Sequence, residues 1–103
     1  MEETNMTINL NKDGANLKVA LAGRLDTITA PELEAALANS TEDVTSVEFD
    51  FADLEYISSA GLRVLLSEQK QMNKVGKMVI RNVNSTIMEV FEVTGFVDIL
   101  TIE

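Results

Sequence analysis

The sequence predicts an α/β fold of order ββαβαβα, with a mixed sheet and helices packed mainly on one face. Three observations carry this. Two short alternating stretches joined by turn residues open the chain, and strand-like and helix-like periodicities then take turns. The hydrophobic share, 46% of 103 residues, is that of an ordinary globular chain. A hairpin followed by strand–helix alternation calls for right-handed crossovers and parallel pairs beside one antiparallel pair. The length suits one domain, expected over residues 1–103.

Met6-Thr7-Ile8-Asn9-Leu10 alternates apolar and polar, and Asn11-Lys12-Asp13-Gly14 supplies turn chemistry. Leu17-Lys18-Val19-Ala20-Leu21 alternates again and stops near Gly23, so the pair reads as an antiparallel hairpin with one buried face. Thr29, with Glu32 three residues on and Pro31 in the first turn, reads as a capping box opening a helix. Leu33, Ala36 and Leu37 share its apolar face, and Asn39-Ser40 closes it. Val47-Glu48-Phe49-Asp50-Phe51 alternates as a third strand, and Asp53-Leu54-Glu55-Tyr56-Ile57 reads as a connection. A longer helix follows from about Ser59 to Val75, with Leu62, Leu65, Leu66 and Met72 as its core stripe and Gly76 as its stop. Lys77–Arg81 reads as a fourth strand. Asn84 caps a third helix with Ile87, Val90 and Phe91 inward, and Gly95 ends it with Phe96 as the hydrophobic contact of a Schellman cap. Ile99–Ile102 reads as a last short strand or a packed tail, and Met72, Met78 and Met88 as core filler.

Composition excludes several functions. With no Cys and no His, thiolate metal sites, disulfides, cysteine nucleophiles and the commonest general base are all missing. Eight Lys+Arg against 17 Asp+Glu give −9, which repels nucleic acid and anionic membrane surfaces. No basic residue lies between Arg24 and Arg63, a stretch that holds nine carboxylates; it reads as a solvated face or as a surface steering toward a basic protein partner. No apolar run approaches a bilayer span, and Met1-Glu2-Glu3-Thr4 lacks the order of a signal peptide, so a cytoplasmic location is expected. No G-x-S-x-G, S-x-x-K, Walker or G-x-G-x-x-G motif is present. Asp26, Asp50 and Asp53 read as turn carboxylates rather than a Mg²⁺ cluster. Neither catalysis, a cofactor nor a metal is expected.

In such sheets partners use the carboxyl ends of strands, which directs attention to Gly23–Thr29 and Tyr56–Gly61. Ser58 and Ser59 both stand at a helix start, where one serine suffices as a cap. If Ser58 caps, Ser59 is exposed at the first helical position. Gly61 then falls in the first turn at a penalty of roughly 1 kcal/mol against Ala, so something approaches the backbone there: a neighbouring strand or a partner protein.

Gly23-Arg24-Leu25-Asp26, Thr29-Ala30-Pro31-Glu32-Leu33 and Ser59-Ala60-Gly61-Leu62, with the closing Phe91-Glu92-Val93-Thr94-Gly95-Phe96, resemble the STAS domain, and among its members the small stand-alone bacterial anti-sigma factor antagonists. The resemblance implies partner switching. The unphosphorylated antagonist binds a serine-kinase anti-sigma factor of the GHKL type, which frees a sigma factor. Phosphorylation of a serine at the start of the second helix dissolves the complex, and a PP2C-type phosphatase restores it. Ser59 holds the acceptor position, with Ser58 as rival. Gly23, Arg24, Asp26, Thr27, Ser58, Ser59, Ala60, Gly61 and Arg63 are the expected partner-binding residues, and the free protein is expected to be a monomer. Two departures stand out: Ser58 where the family commonly carries Asp, and Arg24 where it often carries Glu. A non-sigma STAS module, either an accessory subunit of a lipid-transport ABC system or another PP2C-linked output, is the alternative.

Overall fold

A computed structural model describes residues 6–103; Met1-Glu2-Glu3-Thr4 and the start of the expected 1–103 domain lie outside the described residues. Strands β1 (Met6–Asp13) and β2 (Asn16–Leu25) pair antiparallel from Met6↔Gly23 to Asp13↔Asn16, so the turn is only Gly14-Ala15; Asn11-Lys12-Asp13, expected in the turn, are paired strand residues instead. Helix α1 (Ala30–Ser40) leads to β3 (Ser46–Ile57), α2 (Ser59–Val75) to β4 (Lys77–Arg81), and α3 (Ser85–Thr94) closes the alternation. The sheet order is β1-β2-β3-β4, with β2/β3 and β3/β4 parallel. The expected mixed sheet of order ββαβαβα is present.

Alternation explains which side is filled. Leu17, Val19 and Leu21 of β2, Val47, Phe49 and Phe51 of β3, and Met78 and Ile80 of β4 are all buried and lie in register on one face. Leu33 and Leu37 of α1, Leu62, Leu65 and Met72 of α2, and Ile87 and Phe91 of α3 join them in one core. Phe51 meets Phe49 edge-on at 5.8 Å and Phe91 at 6.5 Å. The opposite face shows Thr7, Asn9, Lys18, Glu48, Asp50 and Arg81. The shortest dimension, 20 Å, matches one sheet plus one layer of helices, each about 10 Å thick.

Four further local expectations need correction. Asp53–Ile57 is not a connection: β3 continues through Ile57. Its alternation breaks because it takes up extra residues at two irregularities, where Ala20↔Asp50 gives way to Ala22↔Asp53, and Gly23↔Leu54 to Arg24↔Tyr56. The Asp50 carboxylate accepts the Ala52 N–H at 3.0 Å and the Asn82 side-chain amide at 3.0 Å; the Asn82 amide first, then the Ala52 N–H, hold its pKa below the ordinary carboxylate value. Gly23, at φ 97, supplies the left-handed backbone this irregular pairing needs.

The second correction is at Thr29, which forms no capping box. It is buried, and its hydroxyl donates back to the Arg24 carbonyl at 2.7 Å, so the side chain cannot face the helix. Third, Gly76 ends α2 through close approach rather than a left-handed cap. Its φ is 173, and a Cβ would collide with the Thr45 carbonyl of the neighbouring loop. Fourth, Leu66 is only half-buried, while Val64, Glu68 and Gln69 are buried instead.

The third helix holds as read: the Asn84 side chain accepts the Ile87 N–H at 2.9 Å, and Gly95 is left-handed at φ 80. The tail Ile99–Ile102 contributes a single parallel bridge, Ile80↔Ile102.

Candidate functional site

The carboxyl ends of β2 and β3 lie side by side, and two short loops leave them. Leu25 pairs with Ile57, and the Ser58 N–H donates to the Leu25 carbonyl at 2.9 Å. The last bond of the sheet therefore fixes where α2 begins. The Leu62 N–H returns to the Ser58 carbonyl at 2.9 Å, and the Gly61 N–H lies 3.5 Å from Ser58 Oγ. Ser58, half-buried, is thus the N-cap. Ser59 is exposed at the first helical position, and its hydroxyl has no hydrogen bond among the described residues.

The neighbouring loop is tied down by its own side chains. The Asp26 carboxylate accepts the Ile28 N–H at 3.0 Å and the Thr29 N–H at 3.1 Å, which closes the loop just ahead of α1. The Asp26 N–H in turn donates to Thr29 Oγ1 at 2.8 Å. These bonds, led by the Thr29 N–H and helped by the nearby Arg24 guanidinium, hold the Asp26 pKa below the ordinary carboxylate value. Arg24 stands 3.7 Å from the Asp26 carboxylate and 4.1 Å over the Tyr56 ring, a cation–π contact on an exposed side chain. The result is a stiff hairpin of loop that leaves Thr27 and Ile28 exposed, Ile28 at 68%.

The expected contact residues therefore divide. Arg24, Thr27, Ser59 and Arg63 are exposed, and Gly23, Asp26, Ser58 and Ala60 are half-buried. Thr27, Ala60 and Arg63 line an open groove of about 250 Å³ between α1 and α2, together with Pro31 and Glu34. Gly61 is a correction. It is buried, and a Cβ there would come within 2.6 Å of Leu25 and 3.0 Å of Ile57. The close neighbour is the molecule's own strand ends, so Gly61 belongs to the core beneath the helix and not to an exposed contact surface.

Tyr56 and Ile28 lie inside the two segments the sequence points to, yet neither stood out there as a contact residue. The signal for Tyr56 was its registry with Arg24, hidden once Asp53–Ile57 was taken as a connection. Ile28 carried no periodic signal, because it is an apolar residue inside a polar turn. Among the described residues no three carboxylates, Asp26, Asp50 and Asp53 included, converge on one point. No helix among them is long and apolar enough to cross a membrane.

Residues 7–103 match the family model of the STAS domain. The chain is similar to BtrV of Bordetella bronchiseptica, described as a candidate anti-sigma factor antagonist, at 36% identity over 94% of this chain and 85% of that protein. It is 26% identical to the anti-sigma-B factor antagonist of Bacillus subtilis, covering 95% of this chain and 91% of the relative. The fold is similar to the anti-sigma factor antagonist SpoIIAA in its unphosphorylated form, with a TM-score of 0.82, 20% identity and coverage of 94% and 88%. The phosphorylated form of SpoIIAA from Bacillus aligns with a TM-score of 0.74, 20% identity and coverage of 94% and 91%.

Proposed function

The chain belongs to the STAS domain family, and from that premise we propose that it is an anti-sigma factor antagonist switched by phosphorylation of Ser59. The observation that carries the reading is the free hydroxyl of Ser59 on a helix already capped by Ser58. Esterifying Ser59 removes no hydrogen bond from the fold. Ser58 is the weaker acceptor, because its side chain serves the Gly61 N–H and its backbone is tied to Leu25. SpoIIAA, a protein of the same fold, exists in both phosphorylated and unphosphorylated forms, which supports the reading.

A phosphate at this helix start is locally tolerated, because free N–H groups and the helix dipole favour an anion. Its effect falls on the partner. Adding about −2 charge to a surface that a partner must desolvate turns an attractive contact into a repulsive one. One like-charge pair at about 4 Å in an effective dielectric of about 20 is worth roughly 4 kcal/mol. Even a heavily screened fraction of that changes affinity by about 10- to 100-fold.

The partner of the unphosphorylated form is an anti-sigma factor that is itself a GHKL-type serine kinase, and a PP2C-type phosphatase reverses the modification. The free protein is a cytoplasmic monomer. Gly23, Arg24, Asp26 and Thr27 with Ser58, Ser59, Ala60 and Arg63 form the contact. Arg24, pinned by Tyr56 and Asp26, presents a fixed positive charge there and selects for an acidic counterpart.

The test is incubation with a serine-kinase anti-sigma factor and ATP, followed by mass-spectrometric site mapping. Acid-stable phosphate on Ser59, and loss of the complex with it, is the expected result. Modification confined to Ser58, or phosphate on Ser59 with the complex intact, overturns the proposal.

A further inference from the structure

Midway along α2 a largely buried glutamate turns its unpaired carboxylate to the solvent of two surface hollows. Glu68 is 7% exposed, and among the described residues it takes part in no side-chain hydrogen bond or ion pair. It lines two adjoining hollows, one of about 310 Å³ between α1 and α2 and one of about 440 Å³ between α2 and the loop 41–45. Glu34 of α1 and Asp43 of the loop before β3 stand at their rims, and neither hollow is lined by a Lys or Arg. Burial pushes the Glu68 pKa above the ordinary carboxylate value. An uncompensated buried charge is destabilising. The switch at Ser59 makes no use of it.

We propose that this groove receives a lysine or arginine side chain of a protein partner, with Glu68 as its counter-ion. Charge complementarity is the first argument: the lining titratable groups are Glu34, Asp43 and Glu68, all acidic. Shape is the second. Leu37, Val64 and Met72 wall the hollows and suit the aliphatic stem of a long basic side chain, while Thr41 and Gln71 offer oxygen acceptors near its head. A divalent cation fits less well, since no three carboxylates converge among the described residues. Glu34 and Val64 also line the groove beside Ala60 and Arg63, so one trough runs from the start of α2 toward Val75.

The inference does not depend on phosphorylation and is tested without the kinase. Isotope-labelled protein is titrated with acetyl-Ala-Lys-Ala-amide and, in parallel, with the same peptide bearing Nε-acetyl-lysine. The lysine peptide is expected to move the Glu68 carboxyl resonance and the amides of Thr41, Val64 and Gln71, and the acetylated peptide to leave them in place. Glu68→Gln is expected to weaken this binding by about tenfold or more, and Glu34→Gln, at the rim, by less. Four results each overturn the proposal: equal shifts with both peptides, shifts unchanged by Glu68→Gln, no shift at the groove, or displacement of the peptide from these residues by Mg²⁺. Ser59→Ala behaves as the parent in this titration, so failure here leaves the switch standing and failure of the switch leaves the groove.

Discussion

The two halves of α2 treat charge in opposite ways. At the start of the helix, Ser58 caps, Gly61 rests on Leu25 and Ile57, and Ser59 stands in solvent; the fold there is complete and a phosphate can be added without undoing it. Two turns later Glu68 is largely buried along a groove, with no ion-pair partner among the described residues, and the fold carries a charge it does not use. The difference separates two kinds of functional residue. One is free because its neighbours are satisfied, and the other is strained because its own needs are not met.

The widest break in this contrast comes from removing the firm base under Ser59. Gly61→Val places atoms against Leu25 and Ile57 and is expected to destabilise the protein by about 1–3 kcal/mol, read as a lower urea midpoint. Ser59→Glu is expected to leave that midpoint within about 0.5 kcal/mol of the parent while weakening the complex with the kinase about 10- to 100-fold by titration calorimetry. Ser59→Ala should bind as the parent does and survive ATP. Equal binding by Ser59→Glu and the parent would remove the electrostatic switch.

Glu68→Gln sharpens the other half. The folded pKa of Glu68 lies above its unfolded value, so its contribution to stability is most favourable below the ordinary carboxylate range and is lost as pH rises through the folded pKa. The amide should therefore raise the melting temperature at neutral pH, with the gain shrinking as pH falls; an equal or lower melting temperature at neutral pH contradicts the burden assigned to this carboxylate.

The smallest effect is at Asp26, whose folded pKa is depressed. Its contribution is present above the ordinary aspartate value and is lost as pH falls through the folded value. Asp26→Asn should flatten that acid limb. In parent protein the amides of Ile28 and Thr29 should gain hydrogen exchange at acid pH before the core does.

How much of this was legible in the sequence follows from where alternation and caps are clean. The hairpin, α2 from Ser59 to Val75, and the Asn84 and Gly95 ends of α3 carry local signals strong enough to decide themselves. The second half of β3 does not, because a strand with irregular pairing loses its period of two. The exposure of Ser59 followed from the arithmetic of one cap and two serines. Glu68 was invisible: a lone glutamate on an amphipathic helix reads as solvent-facing until the neighbouring helix is known to roof it. Thr29 misled because the motif for a capping box says nothing about a strand end that claims the hydroxyl first.

A further consequence lies in the bare side of the sheet. Because all three helices cover one face, a tether or fluorophore fixed at Asn9 or Lys18, both exposed on the other, sits behind the molecule as a handle behind a shield. Immobilised by that back, the domain can be probed by surface methods at the serine and at the trough together, with neither obscured by the attachment.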